Sequence, residues 1–137
     1  MRKSMLAALI AVPFAMFAAS SAAGQNYPFT SGDYEEVGMI DVSDGGGYEY
    51  ATFLANTWRK NQEYAKSKGW ITGYQVLTNV HARPGEPDIY LVTSFTMLPD
   101  AAEEEKRAAA YREFMKQTDA QMDAASGDRA KYRTVMG

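Results

Sequence analysis

Beyond residue 33, the apolar positions of this chain switch between a strand-like and a helix-like period, and each switch marks an element. Residues 34–42 (YEEVGMIDV) hold β-branched and aromatic side chains and predict a first strand. The SDGGG run at 43–47 stops it, because its glycines have nothing to pack and favour turns. Tyr50, Phe53, Leu54, Thr57, Trp58, Asn61, Tyr64 and Ala65 then recur at helical spacing, opposite a face of Arg59, Lys60, Glu63, Lys66 and Lys68. This predicts a helix over residues 48–68, with Lys66 and Lys68 at its negative end and Gly69 as its terminator.

Residues 70–80 (WITGYQVLTNV) alternate and predict the second strand, and residues 81–88 (HARPGEPD) are a loop punctuated by proline and glycine. A third strand over 89–97 completes a hairpin with the second. Asp100 is placed to cap a second helix, with Glu103 reaching back from the third position. Ala101, Ala108, Tyr111, Met115, Thr118, Met122 and Ala125 form its buried stripe, and Gly127 ends it. A last strand begins in residues 131–137.

The order βαββα(β) is an α+β arrangement of ferredoxin-like type, an antiparallel sheet with two helices on one face. Helices cover only that face, yet both parities of the strands are apolar. Val37 and Met39 oppose Ile40 and Val42 in the first strand, and Tyr90 and Val92 oppose Ile89, Leu91, Phe95 and Met97 in the third. An uncovered apolar face of this kind marks an interface, and a sheet-to-sheet homodimer is the economical solution.

The run YATFLANTWRKNQEYAKSKGWITGYQVLTN, the strand IYLVTSF and the Ala- and Glu-rich second helix resemble the dimeric α/β-barrel superfamily. The likeness spans residues 34–127 and rests on element order and hydrophobic pattern. It implies two ferredoxin-like subunits packed sheet on sheet, with a pocket between helices and sheet in each. That superfamily includes antibiotic-biosynthesis-type monooxygenases, haem-degrading enzymes and stress-response barrel proteins, so the resemblance bears on fold far more than on function.

Residues 1–33 read differently. Arg2 and Lys3 precede an uncharged apolar run at 5–17, too short to span a bilayer, and Ser21 and Ala23 are small residues suited to cleavage after Ala23. The expectation is a secretory signal at 1–23, an irregular lead-in at 24–33, one domain at 34–137, a periplasmic or secreted location and no membrane attachment after cleavage. Removing residues 1–23 takes two of the 14 basic residues and none of the 17 acidic ones, leaving a net charge of −5. That balance argues against nucleic acid as a partner.

Candidate chemistry is sparse. With no cysteine and one histidine, the chain offers no thiolate nucleophile, and no metal site or cofactor is expected. His81 suits proton transfer by residue type but has no second ligand near it in sequence. Haem degraders of the superfamily use a helix histidine, so that role is not carried over to His81. The DGGG turn lacks the spacing of a phosphate-binding loop, and no G-x-S-x-G elbow occurs. Trp58, Tyr64, Trp70, Tyr74 and Tyr90 are candidates to line an aromatic pocket between the first helix and the sheet. The hydroxyls of Tyr74 and Tyr90, and Asn61 on the apolar stripe, need partners there. The expected function is an exported module that dimerises and binds a small apolar or aromatic ligand. The alternative is a cofactor-independent monooxygenase acting on an aromatic molecule, with His81, Tyr74 and Asn61 as its catalytic candidates.

Overall fold

A four-stranded antiparallel sheet in the order β2-β3-β1-β4 carries the helices of this chain. The computed structural model describes residues 28–137. The predicted export signal and residues 24–27 lie outside the described residues. Ser31–Gly137 forms one compact unit. Its elements are β1 (Tyr34–Val42), α1 (Gly47–Phe53), a π turn (Leu54–Trp58), α2 (Arg59–Ser67), β2 (Gly73–Thr78), β3 (Ile89–Phe95), α3 (Ala101–Met115), α4 (Asp119–Asp128), a 3₁₀ turn (Arg129–Lys131) and β4 (Arg133–Val135). This α+β arrangement is compatible with a ferredoxin-like fold. Among the described residues, no helix is long and apolar enough to cross a membrane.

The first helix runs as one continuous rod through α1, the π turn and α2, because the residues at both junctions keep right-handed helical dihedrals. Side chains beside the wide turn compete for backbone groups. Thr52 Oγ1 donates to the Tyr48 carbonyl at 2.8 Å and Asn56 Nδ2 to the Thr52 carbonyl at 2.9 Å. Such turns shift the register of all that follows and recur at functional sites.

The second helix differs from the single span expected. Lys116 adopts a left-handed conformation with φ 54°, and Gln117 N–H donates back to the Arg112 carbonyl at 3.4 Å, which ends α3. Thr118 then caps a new helix: its hydroxyl accepts from Gln121 N–H at 3.3 Å, and Gln121 Oε1 accepts from Thr118 N–H at 2.9 Å. Thr118 is therefore an exposed cap rather than part of a buried stripe, and α4 runs on through Gly127 to Asp128.

Strand pairing fixes which side of the sheet meets the helices. Ile40 pairs with Ile89, Gly38 with Leu91 and Glu36 with Thr93, and this parity faces the helices. Tyr50 and Leu54 bury themselves against Ile40, with Val42, Phe53, Trp58, Ile89, Leu91 and Tyr132 partly buried around them. Burial of each such side chain is worth roughly 1.5–3 kcal/mol. Tyr50 is only 2% exposed, and burial pushes its phenol pKa up while Arg133 and Arg129 pull it down. The opposite parity presents Val37, Met39, Tyr90, Val92 and Leu77 on the second face. Val92, in the interior of the sheet, is buried, whereas Val37 and Leu77 are 45% and 47% exposed.

The fourth strand is short. Met39 N–H donates to the Gly137 carbonyl, and the Met39 carbonyl accepts from Met136 N–H at 2.8 Å, two residues opposite one in the manner of a bulge. Ahead of α1, the turn after β1 is pinned against Tyr132, whose carbonyl accepts from Ser43 N–H at 3.0 Å.

Gly46 lies in that contact. A Cβ there would sit 2.6 Å from the Tyr132 carbonyl oxygen and 2.7 Å from its Cβ, whereas one on Gly47 would meet nothing within 4 Å. Gly46→Ala is expected to lose about 1–3 kcal/mol in urea unfolding, and Gly47→Ala to stay within about 0.5 kcal/mol of the native chain. Equal effects of the two would contradict the close packing of this turn on Tyr132.

Candidate functional site

The break at Lys116 and the π turn together build a cleft. Breaking the second helix lets α4 bring Met122, Ala125 and, one turn on, Arg129 to a single side. The rod contributes Phe53, Asn56, Thr57, Lys60 and Asn61, and α3 contributes Tyr111, Phe114 and Met115. The cleft they enclose has a volume of about 550 Å³, the size of a small-molecule site. It opens past Asn56, Thr57 and Lys60, which are exposed.

Its walls are aromatic and sulfur-bearing, and its polar groups are incompletely paired. Asn61 Oδ1 and Arg129 Nε are shielded from solvent, and neither has a hydrogen-bond partner among the described residues. Both residues line the cleft. Arg129 lies over the Phe53 ring at 4.2 Å from its centroid, and its Nη1 donates to the Ala125 carbonyl at 2.8 Å. Lys60 Nζ sits 5.4 Å from the Phe114 centroid. Burial pushes the Tyr111 phenol pKa up, and the Arg129 charge draws it partly back. Among the described residues, no His, Cys, Asp or Glu side chain lines this cleft.

The residues singled out from the sequence are spread over several places. Asn61 alone lines the large cleft. Trp58 turns toward the sheet and lines a smaller cleft of about 340 Å³ with Gln62, Gly38, Ile71 and Leu91, the helix–sheet location expected for a pocket. Tyr74 meets Trp58 edge-on at 5.4 Å and donates its hydroxyl to Glu63, which raises its pKa. Tyr64 is a strut between rod and α3: it stacks on Phe114 at 3.9 Å, meets Trp70 edge-on at 5.5 Å and donates to the Ala110 carbonyl at 3.2 Å. Trp70 in turn lies under Arg107. Tyr90 pairs with Met39 and Leu77 on the far face of the sheet. His81 is exposed in the loop after β2, apart from both clefts.

Arg129, Tyr111, Phe114 and Met122 escaped the sequence reading as site residues. The available signal was Thr118-x-x-Gln121, the spacing of a capping box, which announces a new helix and so a second wall. Among the described residues, no cluster of three or more His, Cys, Asp or Glu could hold a metal ion. Comparison with family models, curated proteins and solved structures returned no match.

A shielded, unpartnered amide oxygen costs about 1–3 kcal/mol. Asn61→Leu, similar in volume and free of that oxygen, is therefore expected to keep or raise the unfolding free energy, by about 1 kcal/mol in urea titration. A loss above about 1 kcal/mol would mean that Asn61 serves the fold rather than a ligand.

Proposed function

We propose that this chain is a small-molecule-binding module of the dimeric α/β-barrel kind, exported after removal of residues 1–23, whose cleft between the rod and α3/α4 takes a planar aromatic ligand. The observation that carries this is that Asn61 and Arg129, each with a shielded side-chain atom that has no partner among the described residues, both line one aromatic-walled cleft. Polar groups in such positions are normally satisfied, and a ligand satisfies them here. The lining favours binding over turnover: it holds no carboxylate or imidazole to move a proton, and Tyr74 and His81 stand elsewhere.

The second sheet face supports a homodimer. Val37, Met39, Leu77 and Tyr90 form an apolar centre, with Glu35 and Asp41 toward the ends of β1 on the same parity. An apolar centre with a polar rim suits an isologous two-fold contact, in which the same surface serves both copies.

A neutral aromatic probe, naphthol, tests the cleft by thermal unfolding of the full chain. Stabilisation should grow with probe concentration, reaching about 2.7 kcal/mol at a hundredfold excess over Kd. Ala125→Phe, which plugs the cleft, should remove it. Stabilisation that survives the plug would refute the cleft as the site.

Light scattering tests the dimer. The native chain should run at twice the subunit mass, and Leu77→Lys at the subunit mass with its circular dichroism unchanged. A native monomer would refute the sheet-face contact.

A further inference from the structure

The charge of the cleft narrows the ligand beyond an aromatic shape. The chain carries 17 acidic and 14 basic residues, yet the cleft gathers Lys60 and Arg129 and no acidic side chain. The ion pairs among the described residues use Lys106, Arg107 and Arg112, leaving the two cleft cations without a carboxylate partner. Each instead lies over an aromatic ring, Arg129 on Phe53 and Lys60 on Phe114. Gathering two cations without acids against a net negative chain concentrates a positive potential at one place.

The Arg129 guanidinium is also directional. Its Nη1 is occupied by the Ala125 carbonyl, while Nε has no partner. The Nε–Nη2 edge is the side of the fork that takes both oxygens of a carboxylate. Asn61 Oδ1 asks for the opposite chemistry, since an amide oxygen only accepts.

We propose, resting on the cleft as the ligand site, that its ligand is a planar aromatic acid that also carries a hydrogen-bond donor. The carboxylate lies on the Nε–Nη2 edge of Arg129 with Lys60 beside it, the ring lies among Phe53, Phe114 and Tyr111, and a hydroxyl or amino group donates to Asn61 Oδ1. Both atoms are shielded in this conformation; with Arg129 still held by its Nη1 bond to the Ala125 carbonyl, small shifts of the neighbouring side chains open its Nε–Nη2 edge and Asn61 Oδ1 to the ligand as it enters. Hydroxybenzoates are the simplest members of this class.

Calorimetric titration of the purified full chain with ortho-, meta- and para-hydroxybenzoate, each against its neutral methyl ester, tests the inference. At least one acid is expected to bind about tenfold more tightly than its ester, a difference of about 1.4 kcal/mol. That preference should shrink as salt rises. Arg129→Gln should bring acid and ester to parity. Lys60→Gln, at an exposed position, should reduce the preference without disturbing the fold. With benzoate added to the series, Asn61→Leu should leave the acid preference intact while removing the advantage of a hydroxybenzoate over benzoate.

If esters bind as tightly as acids, or if the acid preference survives both Arg129→Gln and Lys60→Gln, the anionic ligand is refuted and the aromatic cleft stands. Failure of acids, esters and naphthol alike would refute the cleft itself, and this inference with it.

Discussion

Everything above the sheet hangs on one seat, that of Tyr50 and Leu54 on Ile40. These side chains form the buried cluster under the helices, and α2 buries no residue fully. The rod is therefore buried at its beginning, while toward its end it meets the sheet through polar and edge-on contacts, Tyr74 of β2 with Trp58 and Glu63, and Thr93 of β3 with Gln62. The π turn begins at Leu54 and ends at Trp58, and from there Trp58 and Gln62 go to the sheet side while Lys60 and Asn61 go to the other. On the α3 side the far end is propped by the stack of Tyr64 on Phe114 rather than by full burial. Two clefts, one on each side of the rod, follow from a helix pinned at one end and propped at the other.

The larger cleft is built at the expense of the core. A well-packed domain of this kind would fill the space between rod and α4 with aliphatic side chains, at roughly 1.5–3 kcal/mol for each one buried. Here that space is lined by Asn61 and Arg129, whose Oδ1 and Nε are shielded and have no partner among the described residues. Each such group costs about as much as a buried leucine contributes. Local departures from good packing concentrate where a protein binds or reacts, and among the described residues both unpartnered side-chain atoms belong to residues of this cleft.

Much of the fold was legible in the chain because hydrophobic period and turn chemistry agreed. Residues 34–42 match β1 end to end, the helix expected at 48–68 is the rod at 47–67, and Asp100 caps α3 by accepting from Glu103 N–H at 2.8 Å. The Glu103 carboxylate, however, accepts from Arg107 Nε at 2.8 Å instead of reaching back to the cap as expected. The strand expected over 70–80 shrinks to Gly73–Thr78, since pairing with β3 covers only that stretch. The helix break was hidden by continuity: Met115, Thr118, Met122 and Ala125 keep helical spacing across Lys116, and only the Thr118–Gln121 capping spacing contradicts it. Of the site, Asn61 was visible as a polar residue on an apolar stripe. Arg129 was not, because nothing local distinguishes an arginine that folds over a ring from one that points to water.

Methyl resonances of the methionines separate the two surfaces in one experiment. Met115 and Met122 line the cleft, and Met39 lies on the second sheet face. In a naphthol titration of the full chain at fixed protein concentration, the Met115 and Met122 methyls should shift and saturate together while Met39 stays in place. Shifts confined to Met39, with Met115 and Met122 unmoved, would contradict a ligand cleft between the rod and α3/α4 and move the binding surface to the open sheet.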